Sequence, residues 1–394
     1  MSDQLRAVVI GAGQAGEGHT VALQNAGVEV AAICSRTPSV VSEVADRLGV
    51  RQASTDWRRT LETERPDIVD IATPAAAHVE QISAALELDC HVYSDKPLAV
   101  AAGDARNLYE LALKKGARTA VAATWMYDPG IVYLSELVAA GSIGKPFAVE
   151  SRFVSPWPYP GTAIWINYFT QGGGVLNNRL AHQLAAAQRI VGGEVLEVTG
   201  EARVHRGKRP SAGHVHDYRQ WRALSPEELE SVPWVEVDAD DSCAVLIRLG
   251  QPGAKPEDTI TANIYCASTI RAREGRNITV YGDEGSLHYD WVVDPATNAA
   301  RDGRPLVSRA SFPSGDWQDE PVPDEIMQRL PQIAHGLHRD WAALAHEFVA
   351  DIRGEAHEPY PTFRQGWIYQ EIIKAIREGA GWAAIPQDVV PDVD

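Results

Sequence analysis

The chain has little sulfur and no surplus of positive charge: 394 residues include four cysteines, three methionines and 36 lysines and arginines against 53 acids. Cys34, Cys90, Cys243 and Cys266 lack both metal-ligand spacing and the spacing of a disulfide framework, so they read as small buried hydrophobes and no metal site is expected. The formal charge of −17 excludes the basic face that a nucleic-acid partner requires. No run reaches the roughly eighteen apolar residues of a membrane span, so no membrane partner is expected. The first residues pass into a strand without a secretory leader pattern, and the expected location is cytoplasmic. There is no internal repeat and no low-complexity tract.

What is present is the composition of a globular protein, 45% hydrophobic and 23% charged. The length exceeds what one hydrophobic core usually supports, which predicts two domains, 1–124 and 125–394. In the first, short apolar runs alternate with helical patterns. Strands are expected at 5–10, 28–33, 67–72, 91–94 and 117–123, each followed by a helix except the last. That rhythm means a parallel sheet with right-handed crossovers. Pro74 and Pro97 mark the upper edge of such a sheet, where chains leave the ladder and ligands bind.

The opening strand feeds Gly11-Ala12-Gly13-Gln14-Ala15-Gly16. Gly11 permits a tight turn, Gly13 removes a side chain where a pyrophosphate approaches, and Gly16 lets helix and strand pack closely. The N–H groups of Gln14, Ala15 and Gly16 and the positive end of the helix dipole then face the phosphates. A nicotinamide dinucleotide is the expected cofactor. Ser35-Arg36 stands after the second strand, where an acid often holds the adenosine ribose. The missing acid leans toward NADP over NAD, although Arg36 stacked on adenine would accept both.

Beyond Asp128 the rhythm changes to strand candidates at 147–154, 195–204, 234–237, 242–249, 259–267, 277–281 and 285–289, several alternating like an open antiparallel sheet. The segments 206–230 and 294–324 are long and polar. Gly172-Gly173-Gly174 precedes a helix carrying Asn178 and His182, four apart and so on one face. Lys96, at a strand end before Pro97, is the expected cation at the crevice rim; the proline holds its backbone extended. In this reading His182 moves the proton of a reacting hydroxyl and Lys96 polarises its oxygen. Asn178 orients a hydroxyl, and Arg179 lies beside that face as a contact residue. Trp125, Tyr127, Trp157, Tyr159 and Trp165 cluster around the domain junction and an irregular loop, either anchoring it or offering a stacking surface to a sugar ring.

These motifs together, with Thr73-Pro74 and His78, Asp95-Lys96-Pro97, Tyr127-Asp128-Pro129 and the helix start at Thr362-Phe363-Arg364-Gln365-Gly366, resemble the glucose–fructose oxidoreductase / inositol dehydrogenase / rhizopine-catabolism family over nearly the whole chain. The resemblance implies an N-terminal Rossmann dinucleotide-binding domain plus a C-terminal α/β domain with an open, mostly antiparallel sheet. It also implies a homodimer or homotetramer, and hydride transfer between the nicotinamide and a ring carbon of a sugar, glycoside or cyclic polyol. Thr73, Pro74, His78 and Asp95 would join the cofactor side, with Lys96 and His182 as the catalytic pair. Asn178 stands where an aspartate is common. With the added aromatics, that departure argues for a substrate bulkier or less polar than free inositol. Two rival expectations are glycoside cleavage by transient oxidation and elimination, and a non-catalytic cofactor or ligand sensor.

Overall fold

A computed structural model describes residues 4–215, 218–269, 275–291, 305–311, 313–333, 336–379 and 381–388. The first domain alternates strand and helix: β1 Arg6–Ile10, α1 Gln14–Asn25, β2 Glu29–Cys34, α2 Pro38–Leu48, β3 Gln52–Ser54, α3 Trp57–Glu64, β4 Ile68–Ile71, α4 His78–Glu87, β5 His91–Ser94, α5 Ala102–Lys115 and β6 Thr119–Val121. The strands form one parallel sheet in the order β3-β2-β1-β4-β5-β6. Helices cover both faces, which is why β1 and β4 read as continuous apolar runs and are almost wholly buried. The order reverses between β1 and β4, and both strands end at the Gly11 turn and the Thr73-Pro74 turn. The crevice beyond that switch point is where such sheets bind ligands.

The second domain begins with the 3₁₀ turn Thr124–Tyr127 and continues through α6 Pro129–Ala139, β7 Pro146–Val154, α7 Val175–Val191, β8 Glu194–Arg203, β9 Lys208–Pro210, α8 Pro226–Ser231, β10 Trp234–Glu236, β11 Ser242–Gly250, β12 Ile260–Ala267, β13 Gly275–Gly282, β14 Gly285–Trp291, β15 Leu306–Ser311, β16 Trp317–Pro321, α9 Asp324–Arg329, α10 Gly336–Arg353, α11 Phe363–Glu378 and β17 Ala383–Ala384. Nine strands make one open sheet, β16-β15-β14-β13-β7-β12-β11-β8-β17, antiparallel except at β7–β12. One face of that sheet is covered by α7, whose buried side includes Leu176, Leu180, Leu184 and Ala187.

Three features go beyond the sequence reading. The polar stretch predicted over 294–324 supplies β15 and β16 as edge strands, although 292–304 and 312 lie outside the described residues. The strand expected at 234–237 pairs with β9 in a separate two-stranded ladder rather than joining the large sheet. The last long helices return to the first domain. Trp341 of α10 sits so close to α1 that a Cβ on Gly18 would meet its ring at 2.0 Å, and a Cβ on Gly366 of α11 would meet Leu98 at 2.9 Å. Chain that follows the large sheet thus packs back onto the first domain.

Candidate active site

The glycine turn has the shape that the phosphate reading requires. A Cβ on Gly11 would lie 2.3 Å from the Ala72 carbonyl oxygen, and one on Gly16 would lie 2.0 Å from that of Gly11. Both positions are closed by backbone, so only glycine fits. A Cβ on Gly13 would meet nothing within 4 Å, so that face of the turn opens to the crevice. Gly13 caps α1 without any side-chain acceptor, leaving the first-turn N–H groups for a ligand. The residues present therefore fit a dinucleotide pyrophosphate. Glu17, one residue on, is engaged by Arg47 of α2 and by Arg219 of the 206–230 insertion, at 2.6 and 2.8 Å. Burial works to raise its pKa, but the two guanidiniums prevail and hold it at about 2.

Around the rest of the crevice the candidates divide. Ser35 is half-buried, its N–H bonded to the Ser54 carbonyl, while Arg36 is exposed after β2 and makes no ion pair among the described residues. Thr73 donates its hydroxyl to Gln81 at 2.7 Å. His78 is wholly buried, with Nε2 2.8 Å from the Thr73 carbonyl and Nδ1 3.3 Å from that of Leu98. The ring lies between the Thr73-Pro74 turn and the Lys96-Pro97 turn, and in the neutral form that burial favours it donates to one of those two carbonyls. Asp95 is half-buried and accepts the backbone N–H of Lys96 at 2.8 Å.

Lys96 leaves the end of β5 and reaches across to α7, where its Nζ donates to the Asn178 Oδ1 at 3.3 Å. The Asn178 amide is oriented by its own Nδ2, which donates to the Gly174 carbonyl at 2.8 Å. The start of α7 is fixed in turn by Asp240. Its carboxylate accepts the Leu176 N–H at 2.7 Å, balancing the positive helix end, and is paired with Arg377. The glycines before α7 let it approach: a Cβ on Gly172 would meet Ala75 at 2.5 Å, and one on Gly173 would meet the Ile166 carbonyl at 2.4 Å. Lys96 and Asn178 thus converge from two domains because a lysine at a strand end and a glycine-led helix are pressed together.

One turn further along α7, the His182 Nδ1 accepts the backbone N–H of Thr124 at 3.1 Å. A neutral imidazole whose Nδ1 accepts must carry its proton on Nε2. The ring lies flat on Trp125, with centroids 4.7 Å apart and planes at 14°. Burial pushes its pKa well below the ordinary value, and Lys96, Arg179 and Arg276 push in the same direction. Burial also lowers the Lys96 pKa; Asp95 opposes this and Arg179 adds to it.

The aromatic candidates do not form a shared platform. Trp125 backs the imidazole. Tyr127 is 3% exposed, with Arg189 over its ring at 5.8 Å, and so faces the far end of α7 rather than His182. Trp157 packs on Trp221 at 5.9 Å, and Tyr159 lies under Arg206 and Arg209 at 4.1 and 5.3 Å. Trp165 is half-buried at the start of a 3₁₀ turn and packs against the core. Trp125, Tyr127, Trp157 and Tyr159 thus each have a protein group against the ring. Arg179 lies over Phe153 at 4.6 Å. The sequence reading missed Arg276 of β13, which lies 4.8 Å from the Trp125 ring and 5.0 Å from Phe153.

Residues 5–123 match the oxidoreductase family with an NAD-binding Rossmann fold known as GFO_IDH_MocA, and residues 131–288 match the GFO/IDH/MocA C-terminal domain. The chain belongs to the Gfo/Idh/MocA oxidoreductase family. It is accordingly an NAD(P)-dependent oxidoreductase. It is 25% identical over 373 residues to levoglucosan dehydrogenase of Pseudarthrobacter phenanthrenivorans, covering 90% of this chain and 89% of that protein. It is 29% identical over 194 residues to D-glucoside 3-dehydrogenase of Escherichia coli, covering 48% of this chain and 55% of that protein. Among solved structures, levoglucosan dehydrogenase in complex with NADH and L-sorbose superposes with a TM-score of 0.81 at 21% identity, over 98% of this chain and 99% of that one. An oxidoreductase domain protein from Kribbella flavida gives 0.78 at 24% identity, over 98% and 100%.

Proposed function

We propose that this enzyme transfers hydride between NAD(H) and a ring carbon of a sugar, glycoside or cyclic polyol bearing hydroxyl or carbonyl. The carrying observation is the meeting of Lys96 with the Asn178–His182 face of α7 at the mouth of the switch-point crevice. The relatives named for dehydrogenation of levoglucosan and of D-glucosides support the substrate class. When bound, the nicotinamide supplies the hydride acceptor or donor. NADH is the form named in the levoglucosan dehydrogenase complexes; Arg36, exposed and without an ion pair among the described residues, favours tolerance of a 2′-phosphate as well.

The proton roles are best assigned the other way round from the sequence expectation. With Nδ1 committed to Thr124, neutral His182 offers Nε2–H and cannot take a further proton without becoming a buried cation beside the Arg179 and Arg276 guanidiniums. It acts as a hydrogen-bond donor to the reacting oxygen, stabilising negative charge as it develops. Lys96, whose burial favours the neutral amine, takes the hydroxyl proton during oxidation and returns it during reduction. Asn178 holds that amine in place through its carbonyl oxygen.

The test is NADH formation by the purified protein across free sugars, inositols and methyl glycosides, with NAD and NADP in parallel. Turnover of at least one ring alcohol is expected. Complete inactivity over the panel, with NADH binding intact, would overturn the assignment.

A further inference from the structure

Lys96 also lines a cavity of about 10 Å³, close to the least room that one water molecule needs. Its walls come from three parts of the chain. Lys96 contributes from the first domain and Asn177 from α7. Gly366, Tyr369, Gln370 and Ile373 contribute from α11, and their spacing puts them on one helix face. Gly366 permits the close approach of that face to Leu98, two residues beyond Lys96.

Two polar side chains on these walls are short of partners. Asn177 is 1% exposed; its Nδ2 donates to the Gly173 carbonyl at 2.9 Å, while its Oδ1 is buried without a hydrogen-bond partner among the described residues. Gln370 is 2% exposed, and its side-chain amide has no hydrogen-bond partner among the described residues. Buried polar groups are normally satisfied, and an ordered water with about three polar neighbours does this where a small cavity separates them. Lys96 is the third neighbour. A neutral amine has two N–H groups and one lone pair, and Asn178 Oδ1 takes one N–H at 3.3 Å. An acceptor for the other N–H leaves the lone pair for the substrate hydroxyl.

We propose that this cavity is a water site: one water accepts the second Lys96 N–H and a Gln370 N–H and donates to Asn177 Oδ1, so that Asn177 and Gln370 are positioning residues for the base. This rests on the reading of Lys96 as the proton carrier and extends its support to α11. Around Lys96, Asp95 favours the charged amine and Arg179 opposes it. His182 of α7 and His19 of α1 both sense its charge, and burial keeps the Tyr369 hydroxyl of α11 protonated. All of these groups are retained when Gln370 alone is changed, so a moved ionisation reports on the water site.

The experiment pairs a crystal structure of the native NADH complex with single-turnover NADH formation against pH in the native protein, Gln370→Leu and Gln370→Glu. A water within about 3 Å of both Lys96 Nζ and Asn177 Oδ1 is expected. Gln370→Leu should lower the plateau rate about threefold to tenfold, the weight of one hydrogen bond. It should also move the alkaline rise to lower pH, because the ammonium form loses solvation. Gln370→Glu should move the rise to higher pH, since a carboxylate facing the cavity favours the ammonium. Unchanged NADH affinity confirms that both variants are folded. A cavity without that water, or a rise that stays fixed or moves the same way in both variants, overturns the proposal. A rise that survives in Lys96→Ala overturns the proton assignment instead, while the water between Lys96 and Asn177 still supports the site.

Discussion

Two buried helical histidines, one in each domain, are placed in opposite electrostatic settings. His19 of α1 points its Nδ1 at the Asp70 carboxylate, 3.0 Å away, with both side chains fully buried. Its ring meets Tyr93 and Trp341 edge-on at 4.9 Å, bracing α1 against α10. Burial alone would lower its pKa, but the charge and hydrogen bond of Asp70 outweigh that and raise it. Burial also raises the Asp70 pKa, which an ordinary ion pair would lower. One proton held between the two satisfies both shifts, and a dry site favours such a net-neutral pair. His182 has no carboxylate partner among the described residues, lies flat on Trp125 and is driven toward neutrality by burial and by the neighbouring guanidiniums of Arg179 and Arg276. A paired histidine braces the fold; an unpaired one beside a crevice is held as a neutral donor.

The largest expected break in that contrast is Lys96→Ala. It should slow turnover about 10³-fold, the usual weight of a positioned acid–base group. NADH affinity should stay intact, read by fluorescence titration. His182→Gln keeps an N–H donor and should cost roughly tenfold to a hundredfold in kcat, the loss of one imperfectly replaced oxyanion donor; His19→Gln should leave kcat far less altered while lowering the melting temperature. Asn178→Asp moves the second site toward the first. A carboxylate beside Lys96 and His182 favours their charged forms and raises both pKas. The alkaline rise in oxidation rate should shift upward by about one to two pH units, leaving less activity at neutral pH.

The smallest effect concerns the His19–Asp70 pair. A raised folded-state pKa for His19 contributes stability that is complete below its ordinary value of 6.5 and is lost as pH rises through the folded value. The melting-temperature advantage of the native protein over the double variant His19→Gln/Asp70→Asn should therefore shrink as pH climbs above neutrality. An advantage that stays constant would contradict the shared-proton account.

The contrast also shows where sequence reasoning reaches. The parallel sheet was legible because β1, β2, β4 and β5 are apolar runs closed by Gly11, Ser35, Thr73 and Asp95, each at the edge where a ligand binds. Lys96 and His182 were legible for the same reason, one beside a strand-ending proline and the other on a helix announced by three glycines. Arg276 was not, since nothing local to β13 signals that its register partner is Phe153. The aromatics misled because residue type does not say which way a ring faces: Tyr127 is adjacent in sequence to Met126 and two residues from Trp125, yet it packs beneath Arg189. The edge strands β15 and β16 carry too much polar sequence to show a period. The tautomer of His182 depends on the Thr124 N–H, which only the folded backbone brings to Nδ1.

The central claim is that Lys96, not His182, carries the proton. It is tested most directly by the pH dependence of single-turnover NADH formation in the native protein, Lys96→Ala and His182→Gln. The account predicts a rate that rises through one ionisation below the ordinary lysine range, with that limb kept in His182→Gln and abolished in Lys96→Ala. A limb that survives in Lys96→Ala and disappears in His182→Gln would contradict it.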